Sequence, residues 1–393
     1  MTRKDPVLQD RHPFHSLCSY LGCFPPAVPR AVLQEFVAPG KIVLDPFCGS
    51  GTTLVESLLL GHPTVGVDLN PLAVAVAAAK MQPVQIEEAL DRIRELATGY
   101  PGNADTEMVP DDLRVIFHPR TLAQLVYLRD RLDDHRLEDV FLRGVTLGIM
   151  HGKFRTDGKT AYLSIDMPNT FSMSPEYVRK FVRRHRLRQP PVDVFAKLRE
   201  RVQWLLRGSA LPGRGLRRVI RGDATKLPRV LADAGITKVD AIVTSPPYLG
   251  VLRYGAFNWI RLWFLRHGPA AVDRMLDGTD SLDRYLSFLV SFLHASAEVL
   301  PARAPVALVI GDVKEFGTHL RLGERLWTEV RDLVPFKLVA LTEDKFDQSA
   351  KTTRIWGEDR KGRATPLDRI LVLERTVPKR RRKQKPRIAE VLR

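Results

Sequence analysis

Short apolar runs of strand length, each closed by an acid or a turn residue and followed by a helical pattern, constrain this chain most. Lys41 to Leu44, Thr64 to Val67, Arg217 to Arg221, Val239 to Thr244 and Pro305 to Ile310 are such runs. Short apolar runs of this kind predict strands buried on both faces, as parallel pairing requires. Helical patterns lie between them, over Thr52 to Leu60 and Ser281 to Val299. Strands alternating with helices predict an α/β fold, one sheet with helices on both faces. Two late runs, Lys337 to Leu341 and Arg369 to Leu373, are expected to close the sheet as a strand pair.

The alternation is interrupted once. From about residue 87 to 212 the pattern is mostly helical, clearest over Leu113 to Leu137 and Val192 to Leu206, between loops rich in Gly, Pro and Asp. The expected organisation is the first part of a catalytic sheet domain over 1–86, a helical insertion or separate lobe over 87–212, the remainder of the sheet domain over 213–377 and a basic tail over 378–393.

Charge narrows the partners. Lys and Arg outnumber Asp and Glu by 61 to 45, which favours polyanions, nucleic acid first and anionic membrane second, over an ordinary basic enzyme. Basic residues cluster at Arg179, Lys180, Arg183, Arg184 and Arg186, at Arg214 to Arg221, and in the tail at Lys379, Arg380 and Arg381. The tail reads either as an arm that gathers phosphates or as a solubilising end. No run of eighteen uncharged apolar residues occurs, and Met1 to His12 lack the apolar core of a secretory signal, so no membrane association is expected. The three cysteines, Cys18, Cys23 and Cys48, have no C-x-x-C spacing, which speaks against a disulfide framework or a zinc site. A reducing cytoplasm and no metal are the expectations.

The segment Ile42-Val43-Leu44-Asp45-Pro46-Phe47-Cys48-Gly49-Ser50-Gly51-Thr52-Thr53 runs from a strand through a Gly-x-Gly turn into a helix. Glycines there permit a tight turn and let a ligand approach the backbone. The segment lacks the Gly-Lys-Ser/Thr of a phosphate loop. A second acid, Asp68, closes the next strand at the spacing from Gly49 at which a carboxylate reaches ribose hydroxyls, and Asp223 ends another strand. Asp45, Pro46, Phe47, Gly49, Gly51, Thr52, Asp68, Leu69, Asp223 and Ala224 are therefore candidates for a nucleoside pocket. Asp68 and Asp223 also suit plain helix or turn caps.

After Val239 to Thr244 comes Ser245-Pro246-Pro247-Tyr248. Two prolines cannot continue a central strand, so the chain leaves the sheet rigidly at its carboxyl edge, where α/β folds bind ligands. A strand-ending turn or a polyproline ligand would use the same residues.

Together these motifs make the chain resemble the amino-methylating DNA methyltransferases, which modify exocyclic amines of cytosine or adenine. Asp45-Pro46-Phe47-Cys48-Gly49-Ser50-Gly51 looks like their cofactor motif and Ser245-Pro246-Pro247-Tyr248 like their catalytic motif. His15 through Phe24-Pro25-Pro26 is similar to their N-terminal cofactor-contacting segment, which adds Phe24 and Pro25 to the candidates. The resemblance implies a Rossmann-like class I methyltransferase sheet using S-adenosylmethionine, with double-stranded DNA as substrate. It also admits a cognate restriction endonuclease as partner. Ser245 Oγ and the Pro246 carbonyl would accept hydrogen bonds from the target amine, and Tyr248 would stack on the extruded base. Serine at the first motif position points to cytosine-N4 over adenine-N6. Ring-carbon methylation needs a cysteine nucleophile, and no Pro-Cys pair exists. An RNA base methyltransferase and a non-catalytic DNA-binding partner of a defence system are the alternatives. The inserted helices, by placement and charge, are expected to recognise the target.

Overall fold

The computed structural model describes residues 11–154, 160–167, 173–208, 211–212, 215–247, 253–276, 281–311, 313–315, 318–345 and 367–377. Tyr248, Lys379, Arg380 and Arg381 lie outside the described residues. The chain begins with α1 (Ala27–Phe36), β1 (Val43–Asp45), α2 (Thr52–Leu59), β2 (Thr64–Asp68) and α3 (Pro71–Met81). A run of helices follows: α4 (Ile86–Thr98), α5 (Asp111–Arg114), α6 (Pro119–Arg131), α7 (Leu137–Ile149), α8 (Pro175–His185) and α9 (Val194–Leu205). The sheet resumes with β3 (Arg217–Arg221), α10 (Leu227–Asp233) and β4 (Ala241–Thr244). Then come α11 (Tyr254–Phe257), α12 (Trp259–Phe264), α13 (Pro269–Leu276), α14 (Leu282–Val299) and β5 (Pro305–Gly311). A small hairpin of β6 (Val313–Glu315) and β7 (Thr318–Leu320) precedes α15 (Leu322–Val330), β8 (Phe336–Lys345) and β9 (Leu367–Arg375).

Seven strands form one sheet in the order β3-β2-β1-β4-β5-β9-β8. The first five are mutually parallel, and β9 runs antiparallel to both of its neighbours. This is a Rossmann-like sheet. Strand order reverses between β1 and β4, and a reversal of that kind opens a crevice at the carboxyl ends of the two strands. Alternate residues feed opposite layers. Leu44, Ile242 and Leu308 pack with α10, α14 and α15, whereas Val43, Val243 and Val309 pack with α1.

The late strand pair is present and longer than its apolar runs. Arg369, buried within β9, is accepted by Glu324 and Glu343, so a charge interrupts the pattern without ending the strand. The mostly helical stretch expected over Leu113 to Leu137 is helical with two breaks, between α5 and α6 and between α6 and α7. Pro119 starts α6 with its ring at the first turn, His118 Nδ1 capping from outside, and the chain leaves helical geometry again at Leu132. Proline lacks the N–H an interior position needs, so it begins a helix here.

The inserted helices share one buried hydrophobic cluster with α2, α3 and α12. The close approach of α7 depends on two glycines. A Cβ on Gly144 would lie 2.2 Å from that of Ala79 on α3, and one on Gly148 would lie 1.9 Å from the Leu17 carbonyl oxygen. A buried ion pair fixes α4 to α7: Arg92 Nε and a terminal nitrogen reach the two oxygens of Asp139 at 2.7 and 2.8 Å. Arg92→Ala strands a carboxylate that is fully buried, and should cost about 3–5 kcal/mol of stability. Urea denaturation reads this directly, and a loss below about 1 kcal/mol would show the pair dispensable. No helix among the described residues is long and apolar enough to cross a membrane.

Candidate active site

The turn after β1 is tight because two of its residues adopt left-handed backbone. Gly49 has φ 49° and Gly51, the N-cap of α2, has φ 79°. Side chains rarely tolerate this region, so glycine is required by conformation. Asp68, at the end of the neighbouring strand β2, holds the turn from the same side of the crevice. One carboxylate oxygen accepts the Gly49 N–H at 2.8 Å and the other the Asn70 N–H at 2.8 Å. Each oxygen has a second lone pair, which leaves capacity for a ligand hydroxyl. Burial pushes the Asp68 carboxyl up to about 6, and the backbone N–H groups counter that rise by favouring the charged form. Asn70 extends the network: its amide nitrogen donates to Tyr20 Oη at 2.9 Å while its oxygen caps α3 through Leu72 N.

Asp45 sits beneath the turn. Thr244 Oγ1 donates to it at 2.6 Å and Phe47 N at 3.2 Å, both to the same oxygen. The carboxylate thus ties the end of β1 to the end of β4, directly below the Ser245-Pro246-Pro247 exit. Burial raises its carboxyl to about 6, with the Thr244 hydroxyl the strongest opposing influence.

The opposite side of the crevice follows β4. Ser245 Oγ is buried and has no hydrogen-bond partner among the described residues. Leaving a hydroxyl so desolvated costs about 1–3 kcal/mol, a penalty that a ligand group could relieve. Further along, Tyr254 stacks on Tyr20 with ring centroids 5.8 Å apart. Asp273 fixes the start of α11 by accepting the Gly255 and Ala256 N–H groups at 2.6 and 3.0 Å. Arg261 of α12, fully buried, joins three parts of the chain. It donates to the Leu147 carbonyl at the end of α7, to the carbonyl and hydroxyl of Ser19, and to Asn258 Oδ1.

One cavity gathers most of the sequence candidates. Phe24, Pro46, Phe47, Gly49 and Thr52 line it from the N-terminal segment and turn. Asp68, Leu69, Asp223 and Ala224 line it from the ends of β2 and β3, and Ser245, Pro246 and Pro247 from the end of β4. Asp223 also caps its own turn, accepting Thr225 N and Oγ1, so both roles meet in one residue. Asp45 and Gly51 stay behind the wall, and Pro25 serves the start of α1, its carbonyl accepting Val28 N. Arg179, Lys180, Arg183, Arg184 and Arg186 are exposed on or just after α8, outside the cavity. Tyr20, Cys23, Asn70, Asp273, Leu276 and Phe288 line the cavity without having been candidates. Tyr20 and Cys23 lie inside the N-terminal segment and Asn70 follows Asp68-Leu69, so proximity to motifs was a usable signal. Asp273, Leu276 and Phe288 come from α13 and α14 and belong to no motif.

The family model described as DNA methylase (N6_N4_Mtase) matches residues 8–79, which carry the turn, Asp68 and the segment before them. Over that stretch the chain is similar to the amino-methylating DNA methylases. Type II methyltransferase M.MjaII of Methanocaldococcus jannaschii is 35% identical over 74 residues, 19% of this chain and 14% of that protein. Type II methyltransferase M.MvaI of Kocuria varians is 26% identical over 236 residues, 56% of this chain and 49% of that protein. The tRNA (guanine(10)-N2)-dimethyltransferase of M. jannaschii is 30% identical over 80 residues, 20% of this chain and 23% of that protein. The chain spans at most about half the length of these relatives.

Proposed function

We propose that this chain methylates the exocyclic amino group of a base flipped from duplex DNA, using S-adenosylmethionine, with cytosine N4 as the target. The observation that carries the reading is Ser245 Oγ, buried and without a partner among the described residues, in a residue lining the cavity that Asp68 and Gly49 also line. The residues present fit the cofactor. Asp68 has a free lone pair on each oxygen for ribose hydroxyls, Gly49 presents no side chain to a ligand, and Phe47 and Phe288 offer apolar surface to an adenine ring. S-adenosylmethionine, when bound, supplies an electrophilic methyl group on a cationic sulfur.

The chain's own residues would do the rest. An exocyclic amine is a poor nucleophile because its lone pair is delocalised into the ring. Ser245 Oγ and the Pro246 carbonyl would accept its two hydrogens, favouring a pyramidal nitrogen with its lone pair aimed at the turn. The stiff Pro246-Pro247 exit holds both acceptors, so little reorganisation is needed. Tyr248 would stack on the extruded ring, offsetting part of the few kcal/mol that flipping costs. The basic residues of α8, and Lys379, Arg380 and Arg381, would meet phosphates. Serine at the first motif position supports cytosine N4 over adenine N6. The Type II methyltransferase names of two relatives make a cognate restriction endonuclease the partner to seek.

Cofactor affinity should depend on pH through Asp68. Its carboxyl lies at about 6 in the free protein, and hydroxyl donors favour the ionised form. Binding therefore strengthens as pH rises through 6 and weakens below it. Titration calorimetry at pH 5 and 7.5 should give tighter binding at the higher pH, and equal affinities would remove Asp68 from the ribose contact.

The tRNA dimethyltransferase likeness favours a second reading, an RNA base as acceptor. Labelled methyl transfer to duplex DNA and to total tRNA, followed by nucleoside analysis, separates the readings. N4-methylcytosine in DNA is the expected product. N6-methyladenine would correct the base, and label confined to tRNA would overturn the assignment.

A further inference from the structure

Helix α8 carries a feature that phosphate attraction alone does not explain. Val178 is buried and Val182 packs against the same cluster, so this stripe faces the protein. One helical position earlier on each turn lie Tyr177, Phe181 and His185. Side chains four apart share a face, and these three rings form a continuous ladder. Tyr177 and Phe181 are stacked with centroids 6.1 Å apart and an angle of 17°, and Phe181 and His185 are 4.4 Å apart. Tyr177 is 46% exposed, and neither it nor Phe181 joins a hydrophobic cluster of the described residues.

The charges sit beside this ladder. Lys180 and Arg184 occupy the outer crest, each three positions beyond a ladder ring and therefore adjacent to it. Glu176 already pairs with Lys180 and Asp112 with Arg179. Arg183, Arg184, Arg186 and Arg188 are exposed and have no carboxylate partner among the described residues. A polyanion along the crest would place what hangs from its backbone over the rings. The segment before the helix is tied to the start of α12: Met173 accepts a hydrogen bond from Trp259 Nε1 at 2.7 Å.

We propose that α8 binds a nucleic-acid strand whose bases are unpaired, with Arg183 and Arg184 on its phosphates and the Tyr177-Phe181-His185 ladder stacked on its bases. This rests on the DNA reading above and deepens it: α8 would hold the bases that duplex opening exposes. Aromatic stacking tolerates any base, whereas paired bases in a continuous stack offer no free face.

The test compares two DNA probes of one length by fluorescence anisotropy, a fully paired duplex and the same duplex with a central run of unpaired bases. Both are titrated with the full chain, with Tyr177→Ala/Phe181→Ala and with Arg183→Gln/Arg184→Gln. Wild type should prefer the unpaired probe. The ladder variant should lose about tenfold or more on that probe and much less on the paired one. The arginine variant should weaken on both and show a shallower salt dependence, by nearly two in slope. Cofactor binding by each variant reports that the fold is intact. A ladder variant that binds both probes as wild type does would overturn the proposal, and so would a tenfold loss on the paired duplex as well, which would mean the rings only shape the arginines. Failure of the DNA reading itself shows separately, as a wild type that transfers no methyl group to DNA.

Discussion

Ser245→Ala is expected to lower the rate of methyl transfer by about two orders of magnitude while leaving the protein at least as stable as before. The two effects have one cause. Ser245 Oγ is buried without a partner among the described residues, so in the free protein its removal should relieve a desolvation penalty of about 1–3 kcal/mol. In the reacting complex the same atom would hold an amine hydrogen. Losing one preorganised hydrogen-bonding group at a developing charge typically costs about 10²–10³ in rate. Single-turnover kinetics and thermal denaturation of one preparation read both quantities. A serine that mattered only to structure would lose stability and activity together, and a variant with full activity would remove Ser245 from the chemistry.

Asp68→Ala should act on binding. Its carboxylate bridges Gly49 N and Asn70 N, so its loss removes the proposed ribose acceptor and the clasp on the turn at once. Hydrogen bonds to a charged group are each worth about 1.5–3 kcal/mol, and the cofactor dissociation constant should rise about a hundredfold or more. The rate at saturating cofactor should fall far less than in Ser245→Ala, because Asp68 lies at the end of β2 and Ser245, the proposed partner of the amine, follows β4. Unchanged affinity by calorimetry would sink the assignment.

The sheet was legible because each buried strand needs an apolar run and each run ends where the chain turns. Val43 to Asp45 and Ala241 to Thr244 fall within a residue or two of their expected limits. The motif candidates converged for the same reason: a residue at the carboxyl end of a parallel strand has little choice of where to be. What stayed hidden depends on contacts between distant segments. Asp45 carries the motif's acid, yet Thr244, 199 positions away, draws it under the turn. Asp273 reaches the cavity only because α13 folds back to cap α11. No local pattern announces either. The break at Pro119 was readable in principle, since a proline after His118 is a start signal; the apolar periodicity on both sides masked it.

The Arg261 bonds bear on how the molecule could be re-engineered. That guanidinium fastens the end of α7 to the segment flanking the crevice, and Gly148 lets the same helix touch Leu17. A chimera that swapped everything from 87 to 212 would therefore tear out part of the frame around the cavity along with the surface proposed to meet DNA. The exchangeable cassette is shorter. Cut points after Ile149 and before Val194 would keep α4 and α7 with their host, and would transfer α8 with its arginines to a new address.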